Sequence, residues 1–454
     1  MMKQYDSYKD SGVEWIGKIP SHWGSAPIKY TVESPYNSFI DGDWIESKVI
    51  VSDGIRYLTT GNVGALKYKE QGNGFISEST FKALNCSEVF PDDILISRLN
   101  EPIGRACIVP DLGYRIVVAV DNVIYRPDME LYDKKFLVYQ MNCKPYADMA
   151  NFIARGSTMS RVSRTTLGHF KLVVPPLNEQ KKISNYLDNK CGKIDKAIAT
   201  QEKRVELLKE LRQNIITQAV TRGINPNAPL KDSGVEWIGE VPEHWEVCRI
   251  KNILKQGVDS IKIGPFGSSL TGKVGADLEY KVYGQWNIVG ADFNAGTNTV
   301  NKETFDELSK SYKVVSGDIL VSMMGTIGKC AVIPEGIQEG IMDSHVVKIR
   351  LNDSIMKGPY FEYIYDKDMS NVIFNQLQKM KGGSIMDGLN STIIKSLTIL
   401  VPPLSEQQEI VSYIESQTAR LDASIEKAEH QIELLQELKQ SIITEVVTGK
   451  RKVV

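Results

Sequence analysis

The amino-acid sequence predicts an α+β fold: two α/β modules and two long helices that pair with one another, the whole arranged as an internal repeat. Three observations carry that prediction. The stretch Lys9-Asp10-Ser11-Gly12-Val13-Glu14-Trp15-Ile16-Gly17 recurs in the second half of the chain as Lys231-Asp232-Ser233-Gly234-Val235-Glu236-Trp237-Ile238-Gly239, and Pro20, His22 and Trp23 recur in step as Pro242, His244 and Trp245. Val174-Pro175-Pro176-Leu177 with Glu179-Gln180 recurs, at a slightly longer shift, as Val401-Pro402-Pro403-Leu404 with Glu406-Gln407. After each Pro-Pro-Leu the texture changes: residues 179–221 and 406–448 hold no proline and almost no glycine, while Leu, Ile, Glu, Lys and Gln dominate. That composition is helical. A period this long exceeds any solenoid unit and means two domain-sized modules in tandem.

Bulk properties narrow the class. A chain of 454 residues predicts two to four domains. Hydrophobic content of 42% and charged content of 24% are ordinary for a soluble globular protein. The formal net charge of −2 excludes a global basic field, although a local patch suffices to bind a polyanion. Six scattered cysteines without a Cys-x-x-Cys pair fit reduced thiols, not a disulfide framework or a zinc site. The amino terminus has no apolar core of a signal peptide and no apolar run reaches membrane length, so a cytoplasmic protein with no membrane partner is expected.

The elements follow in order. Trp15, Trp23, Trp237 and Trp245 recur beside Ile and Pro, which predicts core packing at each module's edge. His22 and His244 are expected to be hydrogen-bonded structural residues. Residues 24–172 and 246–399 are rich in Gly, Asn, Asp and Pro, with short β-branched runs that predict strands: Lys48-Val49-Ile50-Val51, Ile116-Val117-Val118-Ala119-Val120 and Asp318-Ile319-Leu320-Val321. Asn178 and Ser405 are placed to cap a short helix reaching about Asp188 or Glu415. A longer helix is then expected over about 192–221 and 419–448. Its heptad positions are Ile194, Ile198, Val205, Leu208, Ile215 and Ala219 in the first copy, and Leu421, Ile425, Ala428, Ile432, Leu435, Ile442 and Val446 in the second. Gln201, Arg212 and Lys439 interrupt the register; Leu207, Leu211, Leu434 and Leu438 widen the stripe. Such a stripe must be buried, and the other helix is its natural partner. The plainer alternative, each helix packing on its own module, is outrun by the stripe's length. The Gly/Pro/Asn-rich loop Arg222–Pro229 lets the chain start its second module.

The two copies differ between the shared blocks. The first has Phe39-Ile40-Asp41-Gly42-Asp43-Trp44 where the second has Ile263-Gly264-Pro265-Phe266-Gly267-Ser268-Ser269. Two short motifs do return: Asp92-Asp93-Ile94-Leu95-Ile96-Ser97 as Gly317-Asp318-Ile319-Leu320-Val321-Ser322, and Ile103-Gly104-Arg105 as Ile327-Gly328-Lys329.

Taken together, these ordered motifs, present twice and each followed by a heptad helix, resemble the specificity subunit of type I restriction-modification systems over essentially the whole chain. The resemblance implies two target recognition domains (1–172 and 224–399), a central conserved helical region (173–223) and a carboxy-terminal one (400–454), the two helices pairing as an antiparallel coiled coil. It also implies that each recognition domain reads one half of a bipartite, asymmetric site in double-stranded DNA. The helical spacer would fix the half-site separation and dock two methyltransferase subunits and the restriction subunits. The chain itself would catalyse nothing and hold no cofactor; S-adenosylmethionine, ATP and Mg belong to the partner subunits.

Elementary geometry suits that task. A helix of about 30 residues spans about 45 Å at ~1.5 Å per residue, or about 13 base pairs at ~3.4 Å each. Two readers held apart by such a rod read two short words about one turn of DNA apart. Reading them needs Arg for guanine, Asn or Gln for adenine, and Lys, Ser or Thr for phosphates. The richest stretch is Arg155-Gly156-Ser157-Thr158-Met159-Ser160-Arg161-Val162-Ser163-Arg164, inside a span with no acidic residue between Asp148 and Glu179. Expected DNA contacts there are Arg155, Ser157, Thr158, Arg161 and Arg164, with counterparts Lys379, Lys381 and Ser384 in the second module. Further candidates are Arg98, Asn100 and Arg105 in the first module, and Lys273, Gln285, Asn287 and Lys329 in the second.

Catalytic signatures are missing. Neither Pro-Pro pair sits in the Asn/Asp-Pro-Pro-aromatic motif of an amino-methyltransferase. Pro91-Asp92 with Asp133-Lys134-Lys135 imitates a nuclease pattern at loose spacing, and Asp93 has a twin in Asp318. Two other readings keep the same sequence features: an enzyme-free helical scaffold for protein partners, and a stand-alone DNA-binding protein.

Overall fold

The structure, a computed structural model, describes residues 4–34, 36–154, 160–257, 259–276, 278–325, 327–380 and 389–453. The chain divides into two compact units, Met1–Glu202 with His430–Val454, and Lys203–Glu429. Both are built to one plan.

Each unit opens on a two-stranded ribbon, Tyr8–Asp10 with Lys18–Pro20 in the first and Leu230–Asp232 with Glu240–Pro242 in the second. The repeated Asp-Ser-Gly-Val-Glu-Trp-Ile-Gly is its turn. Asp10 Oδ1 accepts from Gly12 N at 2.8 Å, and Ser11 N donates to Gly17 O at 2.9 Å. Gly12 and Gly17 lie at φ +65° and +73°, and Gly234 and Gly239 at +71° and +70°, backbone that a side chain rarely tolerates.

An antiparallel four-stranded sheet follows. Its order is Phe39–Asp41, Asn122–Tyr125, Ile94–Ser97, Ala106–Ile108 in unit 1, and Ile261–Ile263, Val346–Ile349, Ile319–Ser322, Cys330–Val332 in unit 2. The repeated Asp of the Asp-Ile-Leu motif pins the turn into the third of these strands. Asp93 takes both Nε (2.8 Å) and an Nη (2.7 Å) of Arg126, and accepts from Phe90 N. Asp318 does the same with Arg350 (2.7 and 3.3 Å) and Val315 N. A second sheet pairs Ile55–Leu58 in parallel with Ile116–Val118, and Tyr280–Tyr283 in parallel with Gly340–Met342. The expected strand over Lys48–Val51 is instead a 3-10 turn, Ser47–Val49, near the surface. β-branched composition favours a pleated, half-buried surface, and here only Val51 finds strand pairing, a single antiparallel bridge to Phe75.

A last ribbon, Gly24–Pro27 with Lys171–Val174 or Glu246–Arg249 with Thr398–Val401, delivers the chain to Pro-Pro-Leu. From there two helices run unbroken, Leu177–Arg222 over 46 residues and Leu404–Val447 over 44. The expected interruption near residue 190 is absent. Gly192 costs a helix about 1 kcal/mol relative to alanine, but the buried Leu187, Cys191 and Ile194 around it hold the turn in place.

The Glu-Gln that follows Pro-Pro-Leu joins each helix to its module. Gln180 is fully buried; Asp133 N donates to its Oε1 at 2.9 Å, and its Nε2 donates to Leu131 O (3.1 Å) and Pro175 O (2.8 Å). Gln407 repeats this with Lys357 N, Ile355 O and Pro402 O. Glu179 lies 2.8 Å from His22 Nε2, and Glu406 lies 2.7 Å from His244 Nε2. The other helix ends close by. Gly449 and Gly223, both at φ +73°, are the caps beyond the helices, and a Cβ there would stand 3.1 Å from Trp23 and 3.2 Å from Trp245 respectively. Trp23 and Trp245 are fully buried, as their recurrence predicts.

The helices pack on the modules and on each other. In unit 1, Ile183, Leu187 and Ile194 of the first helix share a core with Ile442, Ile443, Val446 and Val447 of the second and with Trp23, Phe136 and Leu137. In unit 2, Ile216, Ala219 and Val220 join Ile410, Val411 and Ile414 around Trp245, Tyr360 and Phe361. Ion pairs show the antiparallel sense: Lys209 to Glu429 (2.9 Å) and Arg212 to Asp422 (2.8 Å) within unit 2, and Asp195 to Lys439 (2.6 Å) within unit 1. Of the heptad positions, Ile194, Val205, Ala219, Ile425, Ala428, Ile442 and Val446 are buried; Ile198, Leu208, Ile215, Leu421, Ile432 and Leu435 are half-buried. Ile216 and Ile443, one residue beyond heptad positions, are fully buried because they join cores made by a module together with the other helix. Leu207, Leu211, Leu434 and Leu438 do not widen the seam: each is about half exposed.

Candidate nucleic-acid interface

The predicted reader residues of unit 1 converge on one corner of its four-stranded sheet. Leu99 and Arg161 form an isolated antiparallel bridge, and Asn100 N donates to Ser160 O at 3.1 Å. That contact brings Asn100, exposed and at φ +59°, beside Arg161. Asp121, in the turn before Asn122–Tyr125, takes Arg161 Nε at 2.9 Å. Asp41, at the end of Phe39–Asp41, holds Arg98 at 2.9 Å and Arg164 at 3.3 Å. Arg164 also donates to Phe39 O.

The three arginines are not equivalent. Arg98 is buried, donating to Val162 O and Val120 O; burial lowers its pKa from the usual value against the pull of Asp41 and Asp121. It is the internal strut of the corner. The Arg161 side chain is 48% exposed, and its Nη groups have no protein partner among the described residues. A guanidinium oriented through Nε with its Nη donors outward is suited to the paired acceptors of guanine or of a phosphate. With three arginines on two aspartates, the corner carries one net positive charge. Lys29 adds another nearby. It donates to His169 Nε2 at 2.8 Å, and His169 Nδ1 in turn donates to Thr165 O. Sequence reasoning passed over this Lys29–His169 pair; a lysine and a histidine so far apart along the chain give no local signal.

Other predicted residues are placed elsewhere. Arg105 gives its guanidinium to the carbonyls of Thr60, Val63, Leu99, Asn100 and Pro102, tying loops together. Lys329 lies between Asp366 (3.2 Å) and Asp368 (2.7 Å). Asn287 is buried, its amide spanning Asp292 O and Ala295 O. Lys379 pairs with Glu236 and stacks 4.8 Å over the Trp237 ring, and Lys273 pairs with Glu307. Arg155, Ser157, Thr158, Lys381 and Ser384 lie outside the described residues.

The corresponding corner of unit 2 has different chemistry. Sheet register sets Ile263 where unit 1 has Asp41, because Asp41 pairs with Val123 and Ile263 with Val347. It sets Met323 where unit 1 has Arg98. The polar groups there are of another kind: Gln285 Nε2 donates to His345 O, Ser344 Oγ lies 3.2 Å from His345 Nδ1, and Asp343 accepts from His345 N at 2.8 Å, with no arginine on its carboxylate among the described residues. The frame is thus duplicated and the corner is not.

No described helix is long and apolar enough to cross a membrane. Comparison with known proteins agrees with the duplicated plan. The family model for the type I restriction modification DNA specificity domain matches twice, over residues 42–210 and 242–434. The chain is 21% identical over 453 residues to the type I restriction enzyme EcoKI specificity subunit of Escherichia coli K12, covering 96% of this chain and 90% of that protein. It is 23% identical over 354 residues to the type I restriction enzyme MjaVIII specificity subunit of Methanocaldococcus jannaschii, covering 75% and 76%. The fold matches a chain from a solved structure concerned with complex assembly and conformational transition of the type I R-M system, with a TM-score of 0.68 at 14% identity over 94% of this chain and 98% of that one.

Proposed function

Because the chain belongs to the type I restriction-modification DNA specificity family, we propose that its two units read the two halves of one asymmetric, bipartite DNA site. The observation that carries this reading is the contrast between frame and corner. Ribbon, Asp–Arg pins, Gln180 and Gln407 locks and helix caps repeat residue for residue. Where unit 1 carries the Arg161–Asp121 and Arg164–Asp41 pairs, unit 2 carries Gln285, Ser344 and His345. Arginine prefers guanine and a side-chain amide prefers adenine, so the two half-sites differ in sequence. The shared helices serve as the spacer.

The chain is a non-catalytic subunit in this reading, acting in the cytoplasm. Leu207 with Leu211, and Leu434 with Leu438, are the same exposed leucine pair on each long helix, related by the shift that relates the two Pro-Pro-Leu motifs. Two equal apolar spots, each one helical turn long, suit two copies of one partner, the methyltransferase subunit; restriction subunits join the assembly through them. S-adenosylmethionine, ATP and Mg would be held by those partners.

The test is the methylome. Deleting this chain's gene from its source strain should abolish methylation at one bipartite motif, and restoring it should bring the motif back. Unchanged methylation at every bipartite motif would overturn the assignment.

A further inference from the structure

The sheet register reveals an equivalence that the sequence hides. Gly42 N donates to Asn122 O at 2.9 Å, and Gly264 N donates to Val346 O at 3.0 Å. Both glycines press on the same piece of backbone: a Cβ on Gly42 would stand 2.3 Å from Ala119 O, and one on Gly264 1.7 Å from Asp343 O. Ala119 and Asp343 each follow the strand that runs parallel to its neighbour, Ile116–Val118 and Gly340–Met342. Gly42 and Gly264 are therefore one structural position. Two residues beyond each stands a large aromatic side chain, Trp44 at 69% exposure and Phe266 at 86%.

An exposed Trp or Phe is common enough singly. Here the exposure recurs at one position of two modules whose intervening residues, Asp43 and Pro265, have nothing in common. Each ring projects from backbone that is clamped rather than loose, since only glycine fits the close approach beneath it. Each also lies on the corner that holds the polar readers. Trp44 is three residues from Asp41, which orients Arg98 and Arg164. Gly264 packs on Asp343, next to Ser344 and His345.

We propose that Trp44 and Phe266 are DNA-contacting residues, each laying its ring against a base of its own half-site. This rests on the DNA-reading assignment above. A protein partner is disfavoured by the pattern of identity: sites for two copies of one subunit repeat the same residues, as the leucine pairs do, whereas Trp and Phe keep only their aromatic character and sit in the part that varies. Aromatic rings stack on any base, and rings or other apolar side chains inserted at a base step also bend the duplex.

The experiment uses the complex of this chain with its methyltransferase subunits and a duplex carrying the motif it methylates. Fluorescence anisotropy measures affinity across a salt series for wild type, Trp44→Ala, Phe266→Ala, Trp44→Phe and Phe266→Trp. Each alanine variant should bind roughly 5- to 100-fold more weakly, the range of one lost base–aromatic contact. The aromatic swaps should recover most of that loss. The slope of log affinity against log salt should be unchanged, because no phosphate-bound cation is removed. Alanine variants within about twofold of wild type would overturn the proposal, as would a loss that coincides with methyltransferase subunits failing to co-purify, which would assign the rings to a protein partner. A wild-type complex without sequence preference would instead overturn the DNA-reading assignment itself, and the two failures are thereby distinguishable.

Discussion

Gln180→Leu tests how the long helix is tied to its module. Leucine approximates the volume of glutamine but removes three hydrogen bonds at a fully buried site. Asp133 N is left without its acceptor, and an orphaned buried N–H costs about 1–3 kcal/mol. The carbonyls of Leu131 and Pro175 lose a donor each, at a smaller cost because each has a second lone pair. A total of roughly 2–4 kcal/mol follows. For a unit of this size about 1 kcal/mol moves the melting midpoint by about 2–4 °C, so a drop of roughly 5–10 °C is expected. Differential scanning calorimetry measures it, and hydrogen exchange locates it at residues 131–136 and the helix start. The molecule carries its own control. Gln407→Leu removes the same three bonds in unit 2 and should cause a drop of similar size there. A shift below about 1 °C, or severalfold inequality between the twins, would refute the argument that these glutamines act as buried locks.

Three further outcomes are expected. Leu207→Glu with Leu211→Glu should leave the fold intact, since exposed substitutions change stability by about 0.5 kcal/mol or less; native mass spectrometry should then find one methyltransferase subunit bound rather than two, with the same result for Leu434 and Leu438. Arg161→Ala should weaken DNA binding about 5- to 100-fold with an unchanged melting curve, whereas Arg98→Ala should melt several degrees lower, because it takes from Asp41 the closer of its two arginines and strands the buried carbonyls of Val120 and Val162. Burial pushes the Glu362 carboxyl up to about 7 from its ordinary 4.5. A raised folded-state pKa contributes stability that is complete below about pH 4.5 and is lost as pH rises through 7. Glu362→Gln should thus stabilise unit 2 relative to wild type at pH 8 and hardly at pH 5; parallel melting midpoints across that range would contradict the assignment.

Much of this architecture is legible in the chain because it depends on local chemistry. Prolines before Leu177 and Leu404, and their absence afterwards, announce the helices. Recurring Gly, Asp and Trp mark turns and cores. What escaped depended on distant neighbours. Gly192 looks like a helix end until Leu187, Cys191 and Ile194 are seen buried around it. Ile216 falls outside a heptad because the helix faces a module as well as its partner. The arginines of unit 1's sheet region, Arg98, Arg105 and Arg161, look alike in sequence. Which carbonyls and carboxylates converge on each decides that the first two brace the fold and that Arg161 keeps donors without a partner among the described residues. The likeness of Trp44 and Phe266 was hidden by an offset in how their surroundings line up, which only strand pairing corrects.

The division of the chain into units also sets an order of manufacture. Unit 2 is contiguous in sequence and can close as soon as residue 429 clears the ribosome. Unit 1 begins at the amino terminus, yet its core takes Ile442, Ile443, Val446 and Val447, Gln140 donates to Val447 O, and Gly449 caps the helix against Trp23. The first module to be translated must therefore wait, half-built, for nearly the whole chain to emerge. A premature stop just ahead of His430 would spare unit 2's own residues and still deprive unit 1, at the far end of the message, of one wall of its core.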